Sequence, residues 1–179
     1  GSTGNTGNTG ATGNQGATGN QGATGTFAGT NYIFAYATGT QVIAVANTYQ
    51  PIRFQAVPEV NGWTTIGSAT GFTGFVPGAT GVYQIAFTGS AERTGGAVNI
   101  LEIRAKLNNV EIVGSQNRID ARTNNESKNI SNIFLKTISP TGIVHFEFAG
   151  GSTSDRLSGG TTAGATTAPS ITVSIIKVQ

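Results

Sequence analysis

His145 is the only histidine in the chain and cysteine is absent, so few side chains are equipped for covalent or metal chemistry. Without cysteine there is no thiol nucleophile, thiolate metal site or disulfide. His145 falls on the polar side of the alternating run Val144-His145-Phe146-Glu147-Phe148. A solvated or interface imidazole is expected there rather than a general base. Asp120 and Glu126 share the polar stretch beginning at Arg118. Such oxygen ligands suit calcium, but two carboxylates are a sparse set, and ion pairing with Arg118 and Arg122 is the simpler expectation. Carboxylates for glycoside hydrolysis need a fixed separation across a cleft, and no spacing here marks one. Gly150-Gly151 and Gly159-Gly160 lack the Lys-Ser/Thr ending and following helix of a phosphate loop. Phe134, Phe146 and Phe148 lie at strand spacing without basic residues between them, which favours core packing over base stacking. Trp63 either stacks on a sugar from an exposed position or anchors the inside of a sandwich; the anchor is expected. The chain is therefore read as a non-enzyme with no cofactor.

Composition narrows the remaining classes. Of 179 residues only 10% are charged, where an ordinary soluble domain has about 25%. Ten Lys/Arg against eight Asp/Glu leave a net charge of +2, too little for a phosphate-binding field, so no nucleic-acid partner is expected. No run approaches the ~20 apolar residues of a membrane span. Neither an initiator Met nor a signal-peptide pattern is present, and a mature or excised fragment is expected. Asn125-Glu126-Ser127 and Asn129-Ile130-Ser131 match the N-glycosylation pattern, which matters only in a host with the machinery.

Glycine occupies positions 1, 4, 7, 10, 13, 16, 19, 22 and 25 without a miss. Gly at every third residue is the demand of a collagen triple helix, because only hydrogen fits at its axis. No proline precedes Pro51 to pre-set the polyproline II dihedral. The segment is thus marginal as an isolated triple helix, and a flexible linker is the competing reading. The kept register favours the collagen-like one. Residues 1–26 are assigned as a collagen-like stalk and 27–179 as a head; the first charged side chain is Arg53.

In the head, apolar and polar residues alternate with period two and no helical period stands out. Leu101, Ile103, Ala105 and Leu107 share one face of a run whose other face is Glu102, Arg104 and Lys106. Val82–Phe87 places Tyr83, Ile85 and Phe87 together, and Ile143–Phe148 places Val144, Phe146 and Phe148 together. Further strands are expected at Asn31–Ala37, Gln41–Ala46, Ile52–Val57, Gly62–Ile66, Val110–Val113, Arg118–Arg122, Ile130–Ile138 and Ile171–Val178. Turns are expected at Thr38-Gly39, Pro58, Pro77-Gly78, Gly95-Gly96, Pro140-Thr141-Gly142 and, as a tight hairpin, Asn108-Asn109. Gly150 to Pro169 has almost nothing to bury and is expected to be an exposed loop. An all-β fold of about ten strands, a sandwich or jelly roll, follows. In the last strand Ile171, Val173 and Ile175 share a face, while Ile176 and Val178 take the other. Such a strand is expected to be covered on both sides, by its own core on one and, as the candidate cover, by a neighbouring subunit on the other.

The stretch Gly71-Phe72-Thr73-Gly74-Phe75-Val76-Pro77-Gly78-Ala79-Thr80-Gly81-Val82-Tyr83-Gln84-Ile85-Ala86-Phe87 resembles the central motif of the complement globular-head and tumour-necrosis-factor-like jelly rolls. In that family a Phe strand leads through a Pro-Gly turn into Gly-x-Tyr-x-Phe; here Ile85 replaces the second aromatic residue. Ala105-Lys106-Leu107-Asn108-Asn109 resembles the family strand ending in Lys-Asn-Gly, with Asn109 where Gly is usual. The order of stem, head and terminal strand resembles collagen-stalked trimeric heads of bacterial spore surfaces and of viral or phage fibres.

The resemblance implies a ten-stranded antiparallel jelly-roll sandwich, closed three-fold association, an extracellular or surface location on a spore or virion, and display rather than catalysis. A receptor- or carbohydrate-binding adhesion tip, engaging surface glycans or a host receptor through loops such as 150–169 and 118–128, is the alternative. Candidate homotrimer-interface residues are Tyr83, Ile171, Val173, Ile176 and Val178. By the same resemblance, the outward threonines Thr3, Thr6, Thr9, Thr12, Thr18 and Thr24 are candidate O-glycosylation sites. A three-chain collagen stem also needs a partner that aligns it, since a short proline-free segment gains few contacts for its ordering entropy.

Overall fold

The computed structural model describes residues 1–5, 7–8, 10, 31–68, 70–94, 99–123, 126–159 and 168–179. Most of the glycine-repeat segment lies outside them, as does the turn expected at Gly95-Gly96. Among the described residues every regular element is a strand: β1 Tyr32–Ala37, β2 Gln41–Val42, β3 Gln50–Pro51, β4 Ala56–Asn61, β5 Trp63–Ser68, β6 Gly71–Pro77, β7 Gly81–Arg93, β8 Asn99–Leu107, β9 Val110–Glu111, β10 Asn117–Ala121, β11 Glu126–Ile138, β12 Val144–Gly150, β13 Arg156–Leu157 and β14 Ile171–Lys177.

They form two antiparallel sheets. In the first, β11 runs the whole length of β7 on one side, while β14 and then β13 line its other side. Next to β14 comes β1, with β4 at the far edge, and β2 pairs with β13. The second sheet has the order β10-β8-β12-β6-β5, with β9 added to β8 and β3 to β12. Alternation does the folding. Each long strand turns its apolar set inward, so that Tyr83, Ile85, Phe87, Leu101, Ile103, Ala105, Val144, Phe146 and Phe148 are all buried between the sheets. At the centre Phe146 meets Phe54, Phe75 and Phe87 edge-on, with ring centroids 5.9, 6.3 and 6.0 Å away. Trp63 is the expected interior anchor, edge-on to Tyr83 at 5.1 Å.

The strand count is fourteen among the described residues, not ten. Four strands are two residues long: β2 and β9 are what remains of the expected Gln41–Ala46 and Val110–Val113, while β3 and β13 have no counterpart among the expected strands. Two residues cannot display a period, so pairing alone defines β3 and β13. Of Gln41–Ala46 only β2 is strand, and Ile52–Val57 is mostly irregular, with Phe54 bridging Phe72 before β4 begins. Pro58 does not turn the chain. It sits in β4, an edge strand whose register shifts opposite Phe34–Tyr36, where a missing N–H breaks no ladder. Within 150–159 the expectation of an exposed loop fails, because Asp155 and Leu157 are fully buried and β13 docks onto β7; residues 160–167 lie outside the described set. The Asn108-Asn109 hairpin stands, with both residues left-handed at φ 51° and 67°.

Candidate self-association face

The outer face of the first sheet is built from the residues that alternate with its core set. Pairing registers place Leu135, Gln84, Ile176 and Tyr32 in one row across β11, β7, β14 and β1. The next row is Ile133, Ala86, Ser174 and Phe34, and the one after it Ser131, Thr88, Thr172 and Tyr36. Small and medium side chains in the middle are thus flanked by an aromatic wall on β1 and an aliphatic wall on β11. Phe34 and Tyr36 lie 6.1 Å apart, centroid to centroid, and both are half-buried. Ile133 and Leu135 are each 61% exposed. A hollow of about 390 Å³ lies between Ala86, Thr88, Ser131 and Ile133.

The second sheet's outer face is of the opposite character. There Arg104 pairs with Glu147 at 2.7 Å and with Glu111 at 2.9 Å, and Lys106 reaches Glu147 at 3.3 Å. The Arg104 guanidinium stacks 3.5 Å over the Tyr49 ring. Tyr49 donates its hydroxyl to Glu102 and accepts from Gln116; burial first, then the Glu102 carboxylate, pushes that phenol well above its ordinary range. Charges so tied together make a finished, wet surface. In the three rows around Ala86 the first sheet's outer face has apolar groups where the second has ion pairs; its own ion pair, Glu92 with Arg156 at 2.9 Å, lies beyond them at the β13 end.

The interface candidates divide on this geometry. Tyr83, Ile171 and Val173 are buried in the chain's own core, packed inward from β7 and β14, and have no surface to offer a partner. The reason is register. Ile171, Val173 and Ile175 pair with Gly89, Phe87 and Ile85, all inward positions of β7. Ile176 is half-buried on the outer face and Val178, just past β14, is 41% exposed. Sequence reasoning missed Tyr32, Phe34, Tyr36, Ile133 and Leu135. Their signal is legible in retrospect: β1 (Tyr-Ile-Phe-Ala-Tyr-Ala) is apolar on both faces, and Ile133-Phe134-Leu135 interrupts an otherwise alternating strand.

The other candidates are placed as follows. Thr3 is exposed, while Thr6, Thr9, Thr12, Thr18 and Thr24 lie outside the described residues. The His145 ring nitrogen Nδ1 is 3.0 Å from the Thr73 carbonyl oxygen, at half-buried depth. Glu126 does not pair with Arg118 or Arg122 as expected. Its carboxylate meets Lys128 at 2.9 Å and accepts the backbone N–H groups of Arg122 and Thr123, at 2.7 and 3.1 Å. Lys128 first, then those amides, hold its pKa down to about 2. It closes a turn rather than opening a cation site, and among the described residues no three His, Asp or Glu cluster as metal ligands. No helix among them is long and apolar enough to cross a membrane.

No protein-family model matches the chain, and no curated protein matches it. Solved structures do. The tumour-necrosis factor Eiger from S. frugiperda superposes with a TM-score of 0.51 and 8% identity, over 83% of this chain and 92% of that one. Murine APRIL gives 0.51 and 7%, over 82% and 98%. The globular domain of the zebrafish complement 1qA protein gives 0.49 and 14%, over 84% and 98%. On the first two superpositions, the described strands have the two-sheet jelly-roll fold of the tumour-necrosis-factor type.

Proposed function

We propose that the chain is the trimerising head of a collagen-stalked surface protein: a structural, non-catalytic component displayed outside the cell, on a spore or virion. The observation that carries this is the coexistence of a glycine-every-third-residue stem, which requires three chains, with a head sheet whose outer face is apolar along both walls. A homotrimer satisfies both at once. Each head lays its β11 wall against the β1–β14 face of the next, rotation closes the ring, and the stems leave in register. The fold supports the reading, as does the resemblance, which implies the same three-fold closure. Ile176 and Val178 belong to this interface; O-linked sugars on the stem threonines complete the proposal.

Light scattering on residues 1–179 and on 27–179 tests it. Both are expected at three times the chain mass, with Ile176→Asp dissociating them because a carboxylate would be buried at each contact. A 27–179 fragment that stays single at high concentration overturns the proposal.

A further inference from the structure

On the β2–β3 side of the head lies a cavity of about 390 Å³, within the size range of small-molecule sites. Among its lining residues are Thr40, Gln41, Val42, Pro51, Arg53 and Thr73, and none of the lining is acidic. None of those residues comes from β1, β7, β11 or β14, so the cavity and the proposed trimer face are separate.

Its walls are fixed by bonds that leave the interior chemistry unspent. The Gln41 amide binds the backbone of Arg53 twice, accepting its N–H at 2.8 Å and donating to its carbonyl at 2.9 Å. Gln50, also on the lining, spans to the Val42 carbonyl and the Ala44 N–H in the same reciprocal way. Two side-chain amides thus stitch the irregular segment between β2 and β4 into one shape before any ligand arrives. The Arg53 stem rests on Gly71, where a Cβ would come within 3.2 Å of it, so glycine is what lets the chain lie flat there. Its guanidinium has no carboxylate partner among the described residues, unlike those of Arg104 and Arg156. A planar, permanently charged fork thus stands unpaired, on an exposed residue, at the lining of a neutral hollow.

We infer that this cavity binds an acidic pyranose, a sugar carrying a carboxylate. The Arg53 fork matches the two carboxylate oxygens. Val42 and Pro51 offer apolar surface to the ring's C–H face, and the Thr40 and Thr73 hydroxyls with the free edge of Gln41 suit sugar hydroxyls. A bare anion would use the arginine alone; a neutral sugar would leave it idle.

The test is a two-dimensional NMR titration of the full chain, following the side-chain amides of Gln41 and Gln50. Methyl glucuronide and N-acetylneuraminic acid represent two sources of a carboxylated sugar, with methyl glucoside and acetate as controls. At least one acidic sugar should shift both amides saturably and bind roughly tenfold or more tightly than either control. Arg53→Gln should abolish that preference, and Arg53→Lys should keep only part of it, because an ammonium lacks the fork. Among the described residues the Arg53 head makes no bond, so both variants should keep the wild-type spectrum elsewhere. Acetate binding as tightly as the acidic sugars, no saturable shift with either of them, or an unchanged titration in Arg53→Gln each overturns the inference. Solution mass is measured on the same samples, so a failure of trimerisation is read separately.

Discussion

Replacing Ile133 and Leu135 together by threonine isolates the β11 wall. Both residues are 61% exposed in the single chain, so the head itself should lose no more than about 0.5 kcal/mol, the usual range for exposed positions. Threonine also keeps the strand preference of β11, which removes backbone propensity as a cause. In the assembly the account differs. Fully burying such a side chain is worth about 1.5–3 kcal/mol, so covering the exposed three-fifths of each contributes about 1 kcal/mol or more. With two residues per contact and three contacts in a closed ring, the variant removes roughly 6 kcal/mol or more per trimer. That is at least about four orders of magnitude in the assembly constant. Sedimentation velocity over a dilution series should show trimers giving way to single chains at concentrations where wild type holds together. Thermal melts of the dissociated variant should remain cooperative. A double variant that sediments as the wild-type trimer would refute the placement of β11 in the interface. A variant that loses its fold would show that these two side chains serve the core.

Other expectations follow from single residues. Tyr83→Phe removes the 2.7 Å bond from the buried hydroxyl to the Ala79 carbonyl and should cost about 1 kcal/mol by chemical denaturation, with oligomeric state unchanged, since Tyr83 lies inside the chain. Gly159→Ala brings a methyl within 2.8 Å of the Thr38 carbonyl oxygen and against the Ala168 carbonyl, both rigid backbone; a loss of about 1–3 kcal/mol is expected. Asn109→Gly relieves a φ of 67° and should raise stability by up to about 1 kcal/mol. Glu126 has a depressed pKa, so whatever its carboxylate contributes is present above the unfolded value near 4.5 and is lost as pH falls through about 2. The amide signals of Arg122 and Thr123 should move with that titration, and Glu126→Gln should abolish the movement.

The interior of the sandwich was legible because burial on one side imposes a strict period of two. Leu101, Ile103 and Ala105 announce a half-buried strand whatever surrounds them, and the structure buries all three. The misses share a physical cause: strand character supplied by pairing rather than by side chains. β7 continues past Phe87 through Gly89, whose missing side chain reads as a break. A Cβ there would meet Ile103 Cδ1 at 2.5 Å, so glycine is what admits the second sheet's isoleucine. Leu157 is similar. One leucine between polar neighbours carries no period, yet it reaches full burial because β13 extends the line of β14 along β7.

The proposed association face was half legible for a deeper reason. Periodicity says which residues of a strand share a side, but not which side is the chain's own interior. For the last strand both sides are apolar, and two assignments satisfy the pattern equally. What decides between them is non-local: β14 lies between β7 and β1, and its register with β7 aligns Ile171, Val173 and Ile175 with inward positions. Once that register is known, Ile176 is forced outward, and so are Phe34 and Tyr36 across β1 and Ile133 and Leu135 across β7. Five such side chains contributed by strands far apart in sequence need a common cause. Core packing cannot supply it, because their inward neighbours already fill the core, and where this chain meets water it uses ion pairs, at Arg104–Glu147 on the second sheet and at Glu92–Arg156 near the end of the first, but not in these rows. In the assembly we propose, a partner against the first sheet accounts for the difference, and the collagen-like reading of the glycine repeat, with its need for three chains, makes copies of the same chain the simplest partner.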